Sequence, residues 1–204
     1  MAKLFSIKPA ITLKGRKFKG IRGWAGKPTH PPLTDVPIAA YILAAAFDLV
    51  SFSVWKMKGA DSTIASDAFI AGTWVIIAGG VASLGAVLTG FWDWWKGLDR
   101  DRTKGKIGKA SRTQVWRTAN WHMTVMLTVT AIVIIDIVVR LGQFDRHYAT
   151  LTITVLSVLA GILVAYGATY GGSLVFDYQF NVEGLKGSTA WNEGEEDQLP
   201  GQKS

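Results

Sequence analysis

The chain has 204 residues, 49% hydrophobic and 18% charged, with no cysteine and a formal net charge of +7. Soluble domains of this size carry about a quarter charged residues, so the composition excludes a disordered chain and argues against an ordinary soluble domain. The missing cysteines exclude disulfides, thiolate zinc and iron–sulfur sites, covalent c-type haem and a cysteine nucleophile, while the positive charge points to an anionic partner.

In chain order, residues 1–36 form a basic arm, broken by Pro9, Gly15, Gly20, Gly23 and Pro28. It has no apolar core before a cleavage site and so does not resemble a signal peptide. Contact with anionic lipid accounts for it most simply, at about 1 kcal/mol per basic residue near the surface. Docking on another subunit is the sharper alternative. Nucleic acid is not expected, because no recognition module accompanies the charge.

Residues 37–177 are expected to form four membrane-spanning helices. The apolar runs are Pro37 to Trp55, Ala68 to Trp92, Ala119 to Val139 and Tyr148 to Phe176. Each is about 19 to 29 residues long, where a bilayer-crossing helix needs about 17 to 25. Short connections favour antiparallel neighbours, giving an all-α integral membrane four-helix bundle. In span two, Gly72, Gly79, Ser83, Ala86 and Gly90 recur on one helical face. In span four, Gly161, Ala165, Ala168 and Gly172 do the same, beside a Gly167–Gly171 pair. Such faces let helix backbones approach closely in lipid; room for a flat cofactor is the less general explanation.

Of the 22 Lys and Arg residues, eight precede span one, eight lie between spans two and three, and two follow span four. Only Lys56, Lys58, Arg140 and Arg146 fall on the other side. The positive-inside rule then places both termini in the cytoplasm, in a bacterial inner membrane. Trp92, Trp94, Trp95, Trp116 and Trp121 gather near the inner boundary, Trp55 and Trp74 toward the outer one, as an aromatic belt requires. Residues 178–204 form a polar tail with an acidic run at Glu193, Glu195, Glu196 and Asp197, the pattern of a solvated end.

Three histidines are present. His30 stands in Thr29-His30-Pro31-Pro32-Leu33 before span one, His122 opens span three, and His147 lies in the outer loop. The topology puts His30 and His122 on the same side, where they could serve as paired axial ligands of iron in a b-type haem. Against this, the residue before a proline avoids helical geometry, and an interfacial histidine is most often simply hydrated. Asp93, at the end of span two, could accept from His122 and set its tautomer, or accept from a backbone amide or the basic loop.

Asp48 and Asp136 lie within spans one and three. An acid at a helix centre costs about 2.5 to 3.5 kcal/mol on insertion scales and is a functional candidate by default. Arg140 lies one turn from Asp136, and an i, i+4 pair would account for that acid. Asp48 has no local partner, so it is expected to be protonated, bonded to a hydroxyl or part of a proton path. No phosphate loop, zinc motif or nucleophile elbow is present.

His30-Pro31 before span one, Gly90 with Asp93 ending span two, His122 opening span three and Gly171-Gly172-Ser173-Leu174-Val175-Phe176 closing span four together resemble an uncharacterised family of four-span bacterial membrane proteins, domain of unknown function 2231. The resemblance covers roughly Thr29 to Val182. The sequence after Phe176, Asp177-Tyr178-Gln179-Phe180-Asn181-Val182, departs from the family's aromatic and Gly-Val ending. Some relatives are joined to a Rieske domain, which implies a redox setting and strengthens the haem expectation; these 204 residues hold no cysteine for a Rieske cluster. The expected function is therefore an anchor or accessory subunit of a larger redox membrane complex, not catalytic by itself. A b-type haem electron carrier using His30 and His122 is the alternative. A proton or solute carrier using Asp48 and Asp136 comes third, since four spans show no inverted repeat.

Overall fold

The computed structural model describes residues 20–23, 26–103 and 113–182. Most of the basic arm, the loop at 104–112 and the tail from 183 onward lie outside the described residues, so the expectations for arm and tail are not addressed by it.

Four helices follow one another: α1 (His30–Lys58), α2 (Thr63–Thr103), α3 (Gln114–Leu141) and α4 (Leu151–Phe176), with a 3₁₀ turn at Phe144–Arg146 before α4. All four are long and apolar enough to cross a membrane. Arg22 and Pro28 form an isolated antiparallel β-bridge.

α1 begins seven residues earlier than its apolar run, at His30. Pro31 and Pro32 occupy the first helical turn, where a missing N–H costs nothing and the fixed φ already suits the helix. The expectation that they hold His30 outside the helix is therefore corrected. α1 ends at Gly59, whose φ of 86° is open to glycine and whose N–H donates to Trp55 O at 2.9 Å. α3 starts from Thr113, whose hydroxyl accepts from Trp116 N–H at 3.1 Å, an N-cap bond.

Close approaches set the packing. Positions on α2 and α1 pair in opposite order: Gly72 with Asp48, Gly79 with Tyr41, Gly90 with His30. Likewise Gly171 meets His122 and Gly167 meets Met126, which makes α3 and α4 antiparallel. Gly161 meets Ala45, and Ala149 N–H donates to Ser51 Oγ, so α4 is antiparallel to α1 too. Helices α1 and α3 consequently run parallel. The α1–α2 interface is the most extensive and α2–α3 the slightest, which leaves α1 and α3 on a diagonal of the bundle.

The small face of span two packs as expected, against α1. That of span four does not: Ala165 is exposed and a Cβ on Gly172 would meet nothing within 4 Å. Gly161 faces α1, while Gly167 and Gly171 face α3. Ala40, Tyr41, Ala44, Ile76, Val129, Val133, Ala160 and Val164 form the central core, drawn from all four helices. Outward-facing Leu43, Leu88, Val138 and Ile162 are exposed, an arrangement suited to lipid rather than water.

A Cβ on Gly79 would fall 2.6 Å from Ala40 Cβ and 2.9 Å from Tyr41 Cε1. Neither atom can retreat without moving α1. Gly79→Ala should lower stability by about 1 to 3 kcal/mol, read as the midpoint of unfolding in mixed micelles; an unchanged midpoint would mean the two helices are not in this contact.

Candidate functional site

Two polar layers cross the bundle along the α1–α3 diagonal. His30 and Asp48 are eighteen residues apart on α1, and His122 and Arg140 are eighteen apart on α3. Eighteen residues make five turns, about 27 Å of rise, so each pair shares one face of its helix. Arg140 binds Asp48 directly across the diagonal. Because the helices are parallel, the same register turns His30 and His122 toward each other at the opposite end.

Each imidazole is held through Nδ1. His30 Nδ1 lies 3.2 Å from Thr89 Oγ1 on α2. The Thr89 hydroxyl already donates to Gly85 O at 2.8 Å, so it accepts from His30. The ring's edge also lies near the Ala86 carbonyl. His122 Nδ1 lies 2.9 Å from Gly167 O on α4, and a carbonyl can only accept. Both neutral rings are thereby assigned the tautomer with hydrogen on Nδ1 and a lone pair on Nε2. That is the ligating form, and an acceptor on the far nitrogen is its usual support. Glycines seat both rings: a Cβ on Gly90 would lie 2.6 Å from His30 Cε1, and one on Gly171 would lie 3.1 Å from His122 Cε1.

Asp93 stands elsewhere. Its Oδ1 accepts from Ile21 N–H at 2.9 Å, and its backbone carbonyl accepts from Asn181 Nδ2 at 2.9 Å. Of the two expected alternatives Asp93 takes the backbone amide and not His122, whose Nδ1 lies against Gly167 O. Asp93 instead ties the segments before α1 and after α4 to the end of α2, closing the histidine end of the bundle. His147 lies in the loop at the other end, as expected, with a left-handed φ of 57°.

The second layer holds Asp48, Asp136 and Arg140, all with 0% exposure. The guanidinium grips Asp48 at two points, Nη1 to Oδ1 at 3.0 Å and Nη2 to Oδ2 at 2.5 Å. It reaches Asp136 less closely, 3.3 Å from Nη2 to each oxygen. Nη1 also approaches Thr73 Oγ1 at 3.3 Å. The i, i+4 pair expected from sequence is present. Asp48, however, is not without a partner: it makes the tighter ion pair, with an arginine the sequence reading had assigned to the outer surface. The signal was there, since Arg140 lies five turns from His122 on the same face. Between the layers, Tyr41 and Ser83 join α1 to α2 by a hydroxyl–hydroxyl bond.

A family model described as "Predicted membrane protein (DUF2231)" matches residues 26–184. The chain belongs to that family. The match spans both polar layers and all four helices, from four residues before His30 to beyond α4. No curated protein and no solved structure matches the chain. Membership in the DUF2231 family, with four apolar helices, identifies an integral membrane protein.

The residues present can be tested against a haem. Among the described residues no group of three or more His, Asp or Glu side chains could hold a free metal ion. Two imidazoles are too few for such an ion but suffice for a porphyrin iron, whose ring supplies the other four nitrogens. By donor chemistry alone, His30 and His122 match the two imidazoles that a b-type haem iron takes.

Proposed function

We propose that this DUF2231 protein is the electron-transfer membrane subunit of a larger redox assembly, with one b-type haem held between His30 and His122. The observation that carries the reading is that two histidines on parallel, diagonal helices lie at one end of the bundle, each held at Nδ1, His30 by Thr89 and His122 by the Gly167 carbonyl. When bound, the haem would supply a one-electron couple. The chain does the rest. Thr89 and the Gly167 carbonyl orient the rings and keep hydrogen on Nδ1. Gly90 and Gly171 bring helix backbones against the rings. Asp93, through Ile21 and Asn181, closes the bundle below the pair.

The same reading places the histidine end at the cytoplasmic face of a bacterial inner membrane, with both termini inside, because that end adjoins the most basic segments of the sequence. The arm would then meet anionic lipid or a partner subunit there. On this reading the chain carries electrons and any catalysis would belong to the partner.

The test is a visible spectrum of the detergent-purified protein, expressed with ample haem, oxidised and then dithionite-reduced. A sharp reduced α band of the b type is expected. A featureless spectrum from folded protein would overturn haem binding and leave a membrane anchor, to be pursued by copurification with and without the basic arm.

A further inference from the structure

The Asp48–Asp136–Arg140 layer is a site in its own right and does not depend on the haem reading. It carries two carboxyl groups and one guanidinium, and all three side chains are fully enclosed. With every group ionised the layer would hold one uncompensated negative charge, which an apolar interior strongly disfavours. α1 contributes Asp48, α3 contributes Asp136 and Arg140, and α2 contributes the neutral Thr73, whose hydroxyl donates to Phe69 O at 2.7 Å. α4 carries no ionisable side chain except Tyr166 and Tyr170, which lie toward the histidine end.

Something must balance the charge. A hydrated cation needs room and free oxygen donors; both Asp48 oxygens already face the guanidinium, and Phe69 stacks over it with the ring 5.7 Å from Arg140 Cζ. Phe69, Ala149 and Ile153, backed by Phe52, Val139 and Phe144, close the layer on its outer side. A proton needs no room. Between the two acids, Asp48 holds the guanidinium at two short distances, while Asp136 meets it only at 3.3 Å. The more loosely held carboxyl is the better acceptor of the proton. A second observation points the same way. Arg140 Nε is buried and has no hydrogen-bond acceptor among the described residues. It belongs to the same planar guanidinium, so the small acceptor it calls for sits in the same layer, and water has the right size and chemistry.

We propose that this layer is a proton-binding site: one proton resides on Asp136 at neutral pH, with a water molecule on Arg140 Nε as its exchange partner. The proton comes from solvent and returns to it, and no electron moves. The neutral site is Asp48⁻, Arg140⁺ and protonated Asp136, with Thr73 as a further acceptor for the guanidinium.

Infrared spectroscopy of the full-length protein in detergent tests this directly. At neutral pH the wild type should show a protonated-carboxyl C=O band that shifts when aspartate is ¹³C-labelled at its side-chain carboxyl. The band should be lost in Asp136→Asn and kept in His30→Ala. Absence of the band in folded wild type, insensitivity to the aspartate label, or survival of the band in Asp136→Asn would each overturn the proposal. Should Asp136→Asn fail to fold, Asp136→Glu with labelled aspartate replaces it. Loss of the labelled band, with an unlabelled carboxyl band in its place, supports the site, and persistence of the labelled band overturns it.

Discussion

Replacing Asp48 by asparagine should destabilise the bundle by about 1.5 to 3 kcal/mol, the worth of its charged hydrogen bonds, because Asp136 can release its proton and balance Arg140. The change is nearly isosteric, so packing against Gly72 is little altered and the loss is electrostatic. Arg140 would keep only Asp136, at 3.3 Å, and the Thr73 hydroxyl. It cannot escape to water, because its side chain is fully enclosed beneath Phe69 and Ile153. The measurement is the free energy of unfolding in mixed micelles. Removing both partners tells the other half. Asp48→Leu combined with Arg140→Met should lie within about 1 to 2 kcal/mol of the wild type, since an apolar pair of similar volume often matches a buried ion pair. The double-mutant cycle then gives a coupling of a few kcal/mol. Single variants costing less than about 1 kcal/mol, the range of exposed pairs, would show that the ion pair does not form in the folded protein.

The second large effect concerns the histidines. His30→Ala and His122→Ala should each abolish the sharp reduced α band of a two-histidine haem, because one imidazole leaves the iron a ligand short. Their cost to stability should be far smaller, about 1 kcal/mol for one lost hydrogen bond at Thr89 or Gly167. That separation of spectrum from stability is the signature of ligands rather than of packing residues. Two neighbours sharpen it. Gly90→Ala should lower haem content without unfolding the protein, since the new methyl would stand 2.6 Å from His30 Cε1 and turn the ring aside. Thr89→Val keeps the volume but removes the acceptor at Nδ1, and should weaken haem retention about 10- to 100-fold, as loss of an orienting partner does at metal sites. A spectrum intact in both histidine variants would end the assignment of these ligands.

Several features of this protein are local properties, and the sequence by itself determined them. The number of spans follows from the length of apolar runs. The small face of α2 follows from residue size repeated at the helical period, and Gly72, Gly79, Ser83 and Gly90 do face α1. That His30 and His122 share one end follows from counting spans, and the Asp136–Arg140 pair follows from a spacing of four. The start of α1 was equally local, but two competing rules applied at His30, and the preference of proline for the first helical turn prevailed.

What the tertiary structure decided was partnership between helices. Asp48 looked unpaired because its partner lies 92 residues away on α3. Asp93 was a plausible acceptor for His122 until the pairing of α3 with α4 brought the Gly167 carbonyl to that nitrogen. On α4 the period grouped Gly161 with Ala165 and Gly172, yet of these Gly161 meets α1 while Ala165 is exposed and Gly172 meets nothing, and the Gly167–Gly171 pair meets α3. The physical reason is common to all three. A helix's own period says which residues share a face, but the depth and rotation at which that face meets its neighbour depend on the summed fit of every side chain between them. Only the packed bundle sets the two diagonal layers in register, and with them the residues available for chemistry.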